Sequence, residues 1–247
     1  MKKNNHKFSK ISIMHLIKLC LRSLLLLVVV AFYILDKLDV LASNYVLLIV
    51  VWIFLIVEMI LRFFPNKLES MGCQKQFKRN YVPTGNEVDK KLFKKKDLGA
   101  LWVLLIWIGL NSIFGVLYFT GIIDKGILLI ISLFYSVCDI ICILFFCPFQ
   151  TWIMKNRCCT TCRIYNWDFM MMVTPLIFIP SLYTYSLVGV ALILLIRWEL
   201  TYYLRKERFS ETTNESVKCI NCQEKLCKHK KQLQHFLKKY YKKIMKK

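Results

Sequence analysis

The chain has 247 residues, is 57% hydrophobic and carries a net charge of +21. The apolar residues fall in blocks of about 20, the length that crosses a bilayer core, which excludes an ordinary soluble domain. The positive charge lies between those blocks, so topology accounts for it and nucleic-acid binding is not expected.

In chain order, the blocks predict an all-α polytopic membrane bundle over residues 1–204. The expected spans are 19–36, 46–64, 98–120, 127–147, 164–180 and 184–204. The first block follows basic residues as a signal peptide would. No prompt small-x-small cleavage pattern follows it, and it reads as a retained helix. The last apolar stretch, 169–204, is too long for one span, and Pro180-Ser181-Leu182-Tyr183-Thr184 reads as the turn of a C-terminal hairpin.

Charge favours six spans over five. Residues 1–22 carry six Lys and Arg and no acid. The loop 65–97 carries nine basic residues against four acidic, the segment 148–168 three against one, and the tail from 205 fourteen against four. The connections 36–45 and 121–126 are nearly neutral. Lys and Arg stay cytosolic, so an even count places every basic segment and both termini in the cytosol. The tail divides into a Cys-rich segment, 205–232, and a basic amphipathic stretch, 233–247. In the latter, Leu233, Phe236, Leu237, Tyr240, Tyr241, Ile244 and Met245 recur at helical spacing among lysines. Such a helix would lie among anionic lipid headgroups.

Seven of the eleven cysteines are predicted at or near that cytosolic face: Cys147, Cys158, Cys159, Cys162, Cys219, Cys222 and Cys227. A reducing compartment argues against a disulfide framework. Two Cys-x2-Cys pairs, Cys159/Cys162 and Cys219/Cys222, are the expected core of a four-thiolate metal site, because the hairpin returns the chain to one face. Cys158, Cys227 and Cys147 are additional or alternative ligands, and His229 is a further candidate. Zinc needs only four ligands. An iron–sulfur cluster uses cysteine more heavily, and the cysteine density leans that way. Phe145-Phe146-Cys147-Pro148 resembles the Cys-Pro motif after the spans of membrane ferredoxin-type electron carriers of the nitrate and nitrous-oxide reductase systems. Where that motif has an earlier cysteine, this chain has Ile143. The resemblance implies electron transfer with a redox partner or quinone. Arg157 and Arg163 flank the first cluster and would either offset thiolate charge or anchor the interface, as Trp167 would.

Two carboxylates fall inside predicted spans. Glu58 is expected to pair with Arg62 one turn later. Asp139 is the candidate for an intramembrane polar site with Asn111 as hydrogen-bond partner, and would serve a small transporter. Asp168 reads as a helix cap. No phosphate loop or nucleophile elbow is present, so the expected role is a redox component or a non-catalytic scaffold with structural zinc.

Overall fold

A computed structural model describes residues 9–37, 45–67, 69–156 and 158–223. The described residues are helical, and no strand occurs among them. Among the described residues, four helices are long and apolar enough to cross a membrane. They are α1 (Lys10–Lys37), α4 (Lys90–Phe119), α5 (Lys125–Leu144) and α7 (Leu182–Leu204). Between them lie α2 (Tyr45–Leu61), the single turn α3 (Met71–Gln74) and the short α6 (Asp168–Val173).

The helix starts follow capping chemistry. Asp89 Oδ1 accepts from the Lys91 and Leu92 amides at α4, and Asp124 Oδ1 accepts from the Ile127 amide at α5. Gly121, at φ +76°, turns the chain between them. Helix α4 begins at Lys90, eight residues before the expected span, because the basic stretch 90–97 continues the same helix. Its face toward the rest of the chain carries Phe93, Val103, Trp107 and Asn111. Leu101, Trp102, Leu105 and Ile108 stay exposed, a large apolar surface that lipid would cover. At Gly115 a Cβ would lie 2.6 Å from the Phe178 ring, so only glycine lets the chain after α6 pack this closely on α4.

The fifth apolar block is a broken helix. Tyr165–Trp167 is a 3-10 turn, α6 follows, and Thr174–Phe178 tightens again to 3-10 around Pro175. This segment runs antiparallel along α7. Trp167 meets Glu199 near the end of α7, and Thr184 in its first turn donates to the Ile179 carbonyl. The stretched turns let so short a segment span the about 22 Å of α7 between Thr184 and Glu199.

Among the described residues the core has two large centres and a small third one of Ile140, Ile143 and Leu144. Val29, Leu55, Met59, Leu133, Phe169 and Leu194 join α1, α2, α5, α6 and α7. Phe93, Met154, Trp167, Trp198, Tyr202 and Phe209 join the ends of α4 and α7 to the segments outside them. There, three basic segments meet on one face. The Glu215 amide donates to the Val82 carbonyl at 2.8 Å, Arg208 donates to the Gln76 carbonyl at 2.8 Å, and Lys75 donates to the Thr160 carbonyl at 2.7 Å. Residues 65–89, 148–164 and 205–223 therefore form one layer. The amphipathic tail, 233–247, lies outside the described residues.

Candidate functional site

The cysteine loop is built on Gln150 and Asn156. The Asn156 amide donates to the Gln150 carbonyl at 2.9 Å, Gln150 Nε2 returns to the Asn156 carbonyl at 3.2 Å, and Asn156 Nδ2 holds the Cys158 carbonyl at 3.0 Å. Thr161 Oγ1 bonds to Asn156 Oδ1, and the Cys162 amide closes a turn on the Cys159 carbonyl at 3.0 Å. Cys158, Cys159 and Cys162 are consequently buried in a fixed loop. The tail supplies a second, similar turn, in which the Cys222 amide bonds to the Cys219 carbonyl at 3.2 Å.

The two clusters meet through Cys158. Its Sγ lies 2.9 Å from Thr160 Oγ1, which itself reaches the Val217 carbonyl at 3.4 Å. The Cys219 thiol has Cys158 and Cys222 as neighbours, and the electrostatic influence of Cys158 is the main reason its pKa is raised. Cys159 and Cys162 face the other way. Cys159 Sγ donates to Gln150 Oε1 at 3.2 Å, and both residues line a cleft with Cys138, Cys142 and Cys147. The sulfurs thus divide into Cys158/Cys219/Cys222 and a cleft set, rather than into the two Cys-x2-Cys pairs facing each other. Among the described residues, no group of three or more His, Cys, Asp or Glu side chains is gathered as a metal ion requires. Arg157, Cys227 and His229 lie outside the described residues.

Behind the loop sits Lys75, with no exposed surface. Its Nζ donates to the Thr160 and Cys162 carbonyls at 2.7 and 2.8 Å and lies 5.3 Å from the ring centres of Trp198 and Phe209. Among the described residues it forms no ion pair. Burial pulls the Lys75 ammonium down to about 7, and the cysteines it would balance are Cys162 and Cys158. Burial likewise pushes the Cys162 thiol up to about 11, with Lys75 opposing. Neighbouring Gly72 exists because a Cβ there would run into the Tyr165 ring.

A second polar cluster lies deeper in the bundle, and it corrects four expectations. Asp139 pairs with Arg22 of α1 at 3.1 Å, not with Asn111, whose Nδ2 caps the Trp107 carbonyl of its own helix at 2.9 Å. Glu58 pairs with Arg22 at 2.7 Å instead of with Arg62. Arg62 reaches Asp168 at 2.7 Å and Asn166 at 2.9 Å, so Asp168 is an ion-pair partner and not a cap. Arg163 grips both carboxylate oxygens of Glu199, and Trp167 Nε1 donates to the same group at 2.7 Å, which commits these residues to joining the cysteine loop to α7. The reason is common to all four. A buried charge takes the partner that desolvation demands, wherever the chain brings it, in preference to the nearest in sequence.

Sequence reasoning missed Lys75 and Arg22. Arg22 counts with the basic N-terminal segment in the sequence, although it lies near the middle of an apolar helix that begins at Lys10. The available signal was the pair of intramembrane carboxylates, Glu58 and Asp139, which require a cation. No protein-family model, curated protein or solved structure matches this chain.

Proposed function

We propose that this chain is a six-span membrane protein with both termini in the cytosol, whose cytosolic layer holds a thiolate metal centre used in electron transfer. Cys158, Cys219 and Cys222, which are neighbours but not gathered at ligand distance, would close together to supply three thiolates, and Cys227, five residues beyond Cys222, the fourth. The observation that carries the reading is the docking of the tail on the cysteine loop, where Thr160 Oγ1 reaches the Val217 carbonyl and the Cys219 thiol comes under the influence of Cys158, 61 positions away in sequence.

Two features support it. The layer shared by 65–89, 148–164 and 205–223 agrees with the charge count, which puts all three on one side. Lys75 is a buried cation beside a cysteine loop, and thiolates held by a metal would supply the negative charge that it lacks. An iron–sulfur cluster held there would carry single electrons; the chain's own part is to fix the thiolates, exclude water behind Cys158 and balance charge through Lys75. A structural zinc knot is the second reading, favoured by the tight Cys219–Cys222 turn, which has the form of a knuckle.

Anaerobically purified protein is expected to contain a metal centre and absorb near 400 nm, bleaching with dithionite. A colourless protein with one zinc per chain moves the function to the scaffold reading. A folded protein that contains neither metal after expression with iron and zinc supplied removes both.

A further inference from the structure

A cleft of about 130 Å³ opens between α4, α5 and α6, on the spanning part of the bundle beside the cysteine loop. Its walls include Trp107, Phe149, Met171 and Met172, and it is mainly apolar. Helix α5 turns Tyr135, Cys138, Asp139 and Cys142 toward it, positions i, i+3, i+4 and i+7 of one helical face. Two features go beyond packing. The Tyr135 hydroxyl is buried and has no hydrogen-bond partner among the described residues, although the ring packs against Trp107 at 4.6 Å, tilted by 55°. The Cys142 thiol is hydrogen-bonded to Cys147, three residues past the end of that helix. A buried phenol without an acceptor is unfavourable by itself, and an apolar ligand bearing an acceptor oxygen would satisfy it. A cavity of roughly 150 Å³ accommodates a benzene ring, so this cleft is on the scale of one six-membered ring, with any tail passing out into lipid.

We infer that the cleft binds the ring of an isoprenoid quinone and that the Cys142/Cys147 pair reduces it. Tyr135 donates to one quinone oxygen and positions the ring against the two sulfurs. The two S–H bonds break and one Sγ–Sγ bond forms. Two electrons and two protons pass to the two quinone oxygens, giving the quinol. The step uses none of the thiols assigned to the metal centre, so the two readings stand or fall separately. Asp139, held by Arg22 at 3.1 Å, lines the cleft without entering this chemistry.

The test uses the full chain in lipid nanodiscs, reduced, freed of reductant and kept anaerobic, with a decyl-tailed benzoquinone as probe. The expected result is one quinol per chain and a disulfide joining the peptides that contain Cys142 and Cys147. Cys142→Ser and Cys147→Ser form no quinol. Tyr135→Phe reaches the same end point about 3–10-fold more slowly, the effect of one lost hydrogen bond. Cys219→Ser, which removes a proposed metal ligand, reduces quinone normally; quinone reduction that disappears only in Cys219→Ser would assign the electrons to the metal centre and overturn the dithiol. The inference also fails if the wild-type chain forms no quinol, or forms it while Cys142 and Cys147 remain alkylatable. Because disulfide mapping is done on the wild-type chain, poor folding of a serine variant leaves the result decisive.

Discussion

Arg22 and Lys75 are both buried cations, with 1% and 0% of their surface exposed, yet their surroundings differ. Arg22 is bracketed by Glu58 and Asp139 and donates also to the Ser136 carbonyl at 2.8 Å, so α1, α2 and α5 close on a neutralised group. Lys75 has two carbonyls and two aromatic faces but no carboxylate. The first arrangement is complete within the chain and reads as a clamp on the bundle. The second lacks negative charge, and the nearest groups able to supply it are cysteines. A satisfied network describes architecture, and an unsatisfied one describes a site.

The largest effect that would break this comparison lies at the clamp. Arg22→Met leaves two carboxylates buried without their cation, and unfolding measurements should show a loss of about 3–5 kcal/mol. Adding Glu58→Gln and Asp139→Asn should recover most of it. If Arg22→Met alone is neutral, the network is not structural. Next comes the division of sulfurs. Cys158→Ser should lower metal affinity by more than the roughly 10–100-fold typical of changes around a ligand set, whereas Cys162→Ser should retain metal, since Cys162 faces the cleft. Equal losses in metal analysis would contradict the division.

Lys75 sharpens the comparison through pH. In the metal-free protein its folded pKa, about 7, lies below the ordinary 10.5. Between those values the unfolded chain holds the proton and the folded chain does not. The contribution of Lys75 to stability therefore rises as pH increases from about 7 toward 10.5. Melting curves of the metal-free wild type should show this gain relative to Lys75→Met. Metal-bound thiolates would keep the ammonium charged, and the gain should vanish in the loaded protein. The smallest effect is at Glu69, where burial is outweighed by Arg62 and Lys18, holding its carboxyl near 2 against an ordinary 4.5. This stabilisation is present above about 4.5 and lost as pH falls toward 2, and Glu69→Gln should flatten that acid limb.

Much of the frame is legible from the sequence because bilayer crossing imposes length and apolarity. The helices α1, α4, α5 and α7 fall where apolar blocks predict them, and Ser181 begins α7 at the expected turn. The expected six spans also include α2, of 17 residues, and the broken segment through α6. Pro175 and the close approach of Phe178 to Gly115 account for that break, which a hydropathy block cannot register. The cysteine spacing singled out two segments that dock on each other in the structure. It did not reveal that Cys158 faces the tail while Cys159 faces the cleft, because opposite directions of adjacent side chains depend on the Gln150–Asn156 scaffold. Lys75 was hidden among nine basic residues of one loop, where only tertiary burial distinguishes it.

The central claim is that Cys158 joins the tail cysteines in one thiolate centre. X-ray absorption at the edge of whichever metal copurifies tests it most directly, on the wild type and on Cys158→Ser. The account predicts sulfur coordination at about 2.3 Å in the wild type, with loss of the metal in Cys158→Ser. A first shell of oxygen and nitrogen, or a sulfur shell unchanged in Cys158→Ser, would contradict it.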